Sequence, residues 1–364
     1  MTAAEDALSH LRIIAVSPRA AGGEAEAEAR RYCATTLEKA GFSLSEEPFE
    51  FSAFPGAYAT PLAGSLAIAA LFFACRVGAQ GAPDVALIIL LGVGTAIGLA
   101  ATWLARYGVT SLALLRARSV NLVATRGDPD VWIMAHLDSK SQVVPIGVRA
   151  AAICVTVLVW VVAIATSAAQ LAGSTYNFAA WWPWIGVAGL VGAIPVALTF
   201  LGARSNGALD NASGVAAALL TASLLPEKSS LGVIITSAEE LGLAGARAWV
   251  STRAPGTVMN FDGLDDVGEF RLMWTGVRPE RLLGVLADAA AECGISARVS
   301  RLLPGILVDA VAFADAGWKA VTISKAALSG VARIHTRRDT MDHLHGHGIA
   351  IASGIAVAAL KRLT

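Results

Sequence analysis

Val131-Trp132-Ile133-Met134-Ala135-His136-Leu137-Asp138 is an apolar run that passes without a turn into a histidine and, two residues on, an aspartate. A short run rich in Val, Ile and Trp suits a strand buried on both faces, and the polar residues then stand at its carboxyl end. The pattern recurs. LGVIITSA (231–238) runs into Glu239-Glu240, and TVMNF (257–261) runs into Asp262-Gly263. Two further β-branched runs, SVNLVAT (119–125) and KAVTIS (319–324), are set off by helix-like stretches at 214–225, 281–293 and 349–360. Upstream, 24–40 has helical periodicity with Gly41 as its stop, followed by a strand-like FSLSEEPFEF (42–51). Strands alternating with helices predict an α/β fold, a mainly parallel sheet flanked by helices. In such sheets ligands collect in the crevice beyond the strands' carboxyl ends, so these polar residues are expected to converge.

The composition departs from that of a soluble domain. Of 364 residues, 55% are hydrophobic and 15% charged, with a mean hydropathy of +0.61, and part of the chain is expected to lie in lipid. Four stretches approach the roughly 20 apolar residues needed to cross a bilayer core: about 58–75, 85–105, 150–169 and 182–203. They form two hairpins that interrupt the α/β part. The expected division is one α/β domain in three pieces, 1–57, 106–145 and 204–364, interrupted by a first transmembrane hairpin at 58–105 and a second at 146–203. Tyr176, Trp181, Trp182 and Trp184, in and near the second link, suit a membrane–water interface. Gly92, Gly94 and Gly98 in the second span, with Gly186, Gly189 and Gly192 in the fourth, offer small-residue faces for close helix contact.

The first thirty residues carry acids and no apolar run of signal-peptide length, so internal segments are expected to direct insertion. An even number of spans returns the polar parts to one side. Arg106, Arg116, Arg118, Lys140, Arg149 and Arg204 flank the membrane there, against Arg76 on the opposite links. The positive-inside tendency predicts a multi-pass protein of the cell (inner) membrane with its large polar part in the cytoplasm. Cys33, Cys75, Cys154 and Cys293 are scattered and fit neither a zinc-knuckle spacing nor a disulfide framework, so free thiols are expected. Lys+Arg and Asp+Glu balance at 28 each, which leaves no global field to attract nucleic acid.

Two more pieces complete a metal-binding set: Gly207-Ala208-Leu209-Asp210-Asn211-Ala212-Ser213-Gly214, opening a helix, and Ile334-His335-Thr336-Arg337-Arg338-Asp339 in a late loop. Imidazoles and carboxylates are the ligands zinc accepts, and two zinc ions can share one carboxylate, for which Asp210 is the best candidate. Taken alone, Asp210 is equally well read as a helix N-cap. Asp138 could orient the His136 imidazole. In Glu239-Glu240 one side chain would bind metal while the other takes a proton from water. Asp265 and Asp266 compete with Asp262, which follows its strand immediately. His343, His345 and His347 read as a solvated helix start, and His10 as a surface residue.

The ordered set HLD, DNASG, EELGLAG, NFDG and HTRRDT resembles the di-zinc aminopeptidase family, peptidase family M28. The likeness includes Asn121-Leu122-Val123 before the first motif, and Val308-Asp309 to Phe313 with Gly317 before the last. It implies two zinc ions per chain. His136 and Asp262 would bind one, Glu240 and His335 the other, with Asp210 bridging. Glu239 would be the general base, and Asp138 and Asp339 supporting residues. Two departures stand out. The interval from His136 to Asp210 holds a whole apolar hairpin where relatives have a short loop, and Ala310 stands where relatives often carry histidine. The expected activity is removal of N-terminal residues from peptides, with hydrophobic or membrane-derived peptides favoured. About seven residues separate the fourth span from Asp210, at most about 25 Å of extended chain, which predicts a site near the membrane surface. Two other functions are weighed against it. One is a glutaminyl cyclase-like acyltransferase or an amidohydrolase on amphipathic amides. The other is a non-catalytic scaffold or transporter, disfavoured by the complete motif set and by spans without an ionisable path.

Overall fold

The computed structural model describes residues 2–173, 177–303 and 305–363. The chain divides into two compact units. One comprises Met1–Ala53, Ala113–Ser141 and Ala203–Thr364, the other Phe54–Leu112 and Gln142–Gly202.

The strands are β1 (Ser43–Ser52), β2 (Arg116–Arg126), β3 (Val131–His136), β4 (Ser141–Gln142), β5 (Leu201–Gly202), β6 (Leu231–Thr236), β7 (Thr257–Leu264), β8 (Glu269–Trp274), β9 (Arg298–Arg301) and β10 (Lys319–Ala326). Eight of them form the sheet of the first unit in the order β1-β2-β6-β3-β7-β10-β8-β9. The centre is parallel, with β3 between β6 and β7 and β10 beside β7. Toward one edge β2 runs antiparallel to β6 and β1 antiparallel to β2. On the other side β8 is antiparallel to β10. The sheet is thus mixed but mostly parallel. Its parallel centre explains the continuous apolar runs: β6 is buried along its whole length, and β3 except for the partly covered Trp132.

The helix Ser213–Leu224 is buried from Ser213 through Ala222 and packs on β3 and β7. A helix apolar on all sides must sit inside, and SGVAAALLTA is such a sequence. Helices Ala3–Ile14, Glu24–Lys39 and His347–Leu363 pack around it. The opposite sheet face holds Trp249, Phe313 and Trp318, with ring centroids 5.1 to 5.4 Å apart in stacked, tilted and edge-on pairs, an aromatic cluster of the kind that stabilises beyond its buried area.

Among its described residues the second unit holds four helices long and apolar enough to cross a membrane by length and composition: Phe54–Ala79, Pro83–Ser111, Ile146–Leu171 and Phe178–Ala197. The first is longer than the sequence suggests. It starts four residues earlier, tolerates Pro61 in its interior and carries the exposed Arg76 in its last turn. The fourth ends at Ala197, just past Pro195, rather than at 203. Only part of the small-residue expectation holds. A side chain at Gly189 would meet Leu71 at 2.9 Å and one at Gly192 would meet Thr156 at 2.8 Å, whereas Gly92 and Gly98 face open space. The tightest approaches use glycines of the first helix instead. Gly64 lies against the backbone of Val196 and Ala197, and Gly78 under the indole of Trp182. Trp182 Nε1 donates to Gln170 Oε1 (2.9 Å) and Trp160 Nε1 to the Leu90 carbonyl (3.2 Å). These indoles therefore bind inside the bundle, while Trp184 remains exposed. Tyr176 lies outside the described residues.

Candidate metal centre

Three strand ends and two loops deliver the site. His136 is the last residue of β3, and Glu239-Glu240 follow β6 after Ser237 and a left-handed Ala238 (φ 56°). Asp262 lies within β7 rather than beyond it, because β7 continues through Gly263 to Leu264 across a register shift against β10. His335 sits in the left-handed region (φ 61°), which L-residues rarely occupy and which marks a constrained loop.

The donor atoms converge. Asp210 lies between the two histidines, with Oδ1 3.2 Å from His136 Nε2 and Oδ2 3.0 Å from His335 Nε2. Glu240 Oε1 is 3.1 Å from His335 Nε2, and Glu239 Oε2 is 3.9 Å from His136 Nε2. Two sets of donors, His136/Glu239/Asp262 and Asp210/Glu240/His335, each fall within 4.8 Å. Ligands about 2.0 Å from one tetrahedral zinc stand about 3.3 Å apart, so the shortest of these separations suit donors facing a common cation. Among the described residues nothing donates a hydrogen bond to the buried Glu240 Oε1.

The electrostatics agree. Burial, then repulsion by Glu240, Asp309 and Asp262, holds Glu239 well above the usual carboxylate range despite the attraction of His136. Burial and the neighbouring charges Asp210, Asp309 and Glu240 push Asp262 up to about 7, against the pull of His136. Burial opposes charge on His136, yet Glu239, Asp138 and Asp210 raise it well above its ordinary value. A buried cluster with this excess of carboxylates is matched by divalent cations, and its mixture of imidazole and carboxylate suits zinc.

The supporting residues are more specific than the sequence indicates. The carboxylate of Asp138 accepts from the backbone amides of Glu239 (3.1 Å) and Glu240 (3.2 Å), and it is the Asp138 main-chain carbonyl that lies 3.0 Å from His136 Nδ1. Asp339 accepts from Leu209 N (2.7 Å) and Asp210 N (3.2 Å), fixing the loop that presents Asp210. The helix-cap reading of Asp210 is excluded, because Asn211 Oδ1 takes the Gly214 amide at 3.0 Å. Asp265 is buried in an ion pair with Arg333 (3.0 Å), close to His335 in the chain, and Asp266 accepts from the His345 and Gly348 amides at the start of the helix His347–Leu363. Asn121 accepts from Ser237 N and donates to the Gly245 carbonyl, tying the EELGLAG loop to β2. His343, His345 and His347 are exposed. His10 is half-buried, its Nδ1 2.7 Å from Tyr32 Oη, instead of free at the surface.

Three residues of the site region carry no sequence signal. Arg19 is fully buried and donates to the carbonyls of Leu137 (2.7 Å), Ile14 (2.9 Å), Asn206 (2.6 Å) and Gly207 (3.0 Å), joining the His136 and Asp210 loops. Glu26 is buried behind Asp138, where it accepts from Gly22 N (2.6 Å), Ser119 Oγ (3.2 Å) and Ser237 Oγ. Lys140, counted above as a membrane-flanking charge, instead places Nζ 2.6 Å from Glu240 Oε2.

The fold is that of zinc aminopeptidases. The aminopeptidase from Aneurinibacillus sp. strain AM-1 superposes with a TM-score of 0.59 at 14% identity, covering 99% of this chain and 93% of that one. A zinc aminopeptidase from Bacillus subtilis gives 0.58 at 14% identity, covering 99% and 95%. A Bacteroides thetaiotaomicron glutaminyl cyclase bound to N-acetylhistamine gives 0.57 at 14% identity, covering 98% and 97%. No curated protein sequence matches the chain significantly. Residues 193–360 match the sequence profile of Peptidase family M28.

Proposed function

We propose that the protein is a membrane-embedded, two-zinc aminopeptidase that removes N-terminal residues from peptides, with short hydrophobic peptides as its preferred substrates. The observation that carries this reading is the position of Asp210, one carboxylate oxygen toward His136 and the other toward His335, with Glu239 beside them. His136, Asp210 and Asp262 would hold one ion, and Asp210, Glu240 and His335 the other. Bound there, zinc polarises the scissile carbonyl and makes the attacking water more acidic. Glu239 takes the proton from that water and returns it to the leaving amine. Its buried, negatively charged surroundings make it a stronger proton acceptor than a solvated glutamate. Asp138 keeps Glu239 and Glu240 in register by binding both backbone amides.

The four apolar helices support a multi-pass protein of the cell membrane. With Lys140 removed from the flanking charges, Arg106, Arg116, Arg118, Arg149 and Arg204 still outnumber Arg76, which supports a cytoplasmic catalytic unit. The likeness to a glutaminyl cyclase gives the competing chemistry. Incubation with a peptide beginning with glutamine separates the two, since hydrolysis liberates free glutamine and cyclisation leaves a pyroglutamyl peptide. The decisive variant is Glu239→Gln, which is expected to keep bound metal and lose more than about 100-fold in kcat on aminoacyl substrates, as removal of a general base does. Activity within a few-fold of the parent sinks the assignment.

A further inference from the structure

Within the metal centre the two donor sets are not electrostatically equivalent. Glu240 directs Oε1 toward His335, while Oε2 is held by the Lys140 ammonium at 2.6 Å. Lys140 Nζ also lies 3.4 Å from the Glu240 carbonyl, so it is anchored on this one residue by both side chain and backbone. Its side chain is largely covered, 18% exposed, and that of Glu240 is 5% exposed, so solvent screens the pair poorly. Among the described residues His136 and Asp262 make no such ion pair: His136 meets Asp138, Asp210 and Glu239, all acidic. Among the described residues, therefore, a lysine sits on a ligand of one half of the centre, and no lysine or arginine pairs with His136 or Asp262 of the other.

We propose that Lys140 is an internal counter-ion that selectively weakens the half formed by Asp210, Glu240 and His335, so that the chain takes up its two ions in well-separated steps. This inference rests on the two-metal reading given above. A divalent ion entering that half shares Glu240 with an ammonium group. The carboxylate's attraction is partly neutralised, and the two positive charges repel across a poorly screened distance. The half built on His136 and Asp262 fills first. At limiting zinc the protein holds a single ion, and chemistry that requires both switches on only as free zinc rises. Lys140 thereby sets the zinc threshold of the enzyme without touching the substrate.

The test is stepwise zinc titration of the full-length, metal-stripped protein in detergent against a competing chromophoric chelator, with no activity readout needed. Wild type is expected to show two resolved dissociation constants. Lys140→Met, which keeps the length of the side chain and removes the charge, should tighten the weaker step by about tenfold or more while leaving the tighter step within about twofold. Lys140→Arg, which keeps the charge, should reproduce the wild-type separation. The tighter step, whose ligands His136 and Asp262 form no ion pair with Lys140 among the described residues, reports that the variants are folded. A weaker step that is unchanged or loosened in Lys140→Met overturns the proposal, loosening meaning that the lysine positions Glu240 instead of opposing the ion. If no variant takes up a second ion even at millimolar zinc, the two-metal reading itself fails, and this inference with it.

Discussion

Replacing Asp138 by asparagine isolates the contribution of the carboxylate that organises the Glu239-Glu240 turn. In the structure its two oxygens each accept one amide, from Glu239 at 3.1 Å and Glu240 at 3.2 Å, in a fully buried position. Asparagine keeps one acceptor oxygen and turns an NH2 group toward the other amide, so one buried N–H is left facing a donor. An unsatisfied buried group costs about 1–3 kcal/mol. The main-chain carbonyl that meets His136 is unchanged by the substitution. If the turn relaxes to escape the donor–donor contact, Glu239 and Glu240 move together, and the loss is shared between proton transfer and metal retention. At about 1.4 kcal/mol per decade, the expected loss is about 5- to 150-fold, divided between kcat and the zinc dissociation constant. Steady-state kinetics at saturating zinc and chelator competition measure the two parts separately. Both quantities within twofold of wild type would show that the Asp138 carboxylate does not hold the turn.

Three further outcomes are expected. Asp210→Ala should drop zinc content, measured by elemental analysis of detergent-purified protein, from two per chain to well below one, since both halves lose a ligand; unchanged stoichiometry refutes the bridging role. Burial first, then the charge of Asp138, raises Glu26 from 4.5 to about 7, so the folded protein favours its protonated form. That stability is present below pH 4.5 and is lost as pH rises through about 7, an effect of about 3 kcal/mol. Glu26→Gln should therefore melt higher relative to wild type at pH 8 than at pH 5, and an equal or reversed difference refutes the assignment. A reporter fused at the C-terminus should behave as cytoplasmic and one at Ala79 as external, and external labelling of a C-terminal cysteine in intact cells would overturn the charge argument.

The α/β alternation and the residues that meet at the strand ends were legible because both follow from short-range pattern. Apolar runs ending in His136, Glu239-Glu240 and Asp262 mark the sheet's carboxyl edge directly. What stayed hidden depends on partners far away in sequence. Arg19 sits in SPRAAGG with no periodicity around it, and the Leu137, Asn206 and Gly207 carbonyls it satisfies are 118 to 188 residues distant. Lys140 sits where an apolar span is about to begin, so its charge reads as a membrane flank until Glu240 is brought to it. In the sequence Asp210 reads as well as a helix cap as anything else, and only the fold shows that Asn211 takes the Gly214 amide in its place. The antiparallel direction of β2 also escapes a pattern reading, because apolar alternation carries no strand polarity.

The register of β1 against β2 pairs Ser52 with Arg116 and Ser43 with Thr125, so an entire helical hairpin, 54–112, occupies the place of a turn between adjacent strands. In the same way, β3 is made before the second hairpin, whereas its neighbours β6 and β7 are made after it. During synthesis, therefore, β1 waits for its partner until both helices of the first hairpin have emerged. His136 waits for Asp210, Glu240, Asp262 and His335 until all four apolar helices have been made. The side-chain cluster at the sheet's carboxyl edge is consequently among the last features the chain completes, closed by a histidine that lies 29 residues from the end of the sequence (364 − 335).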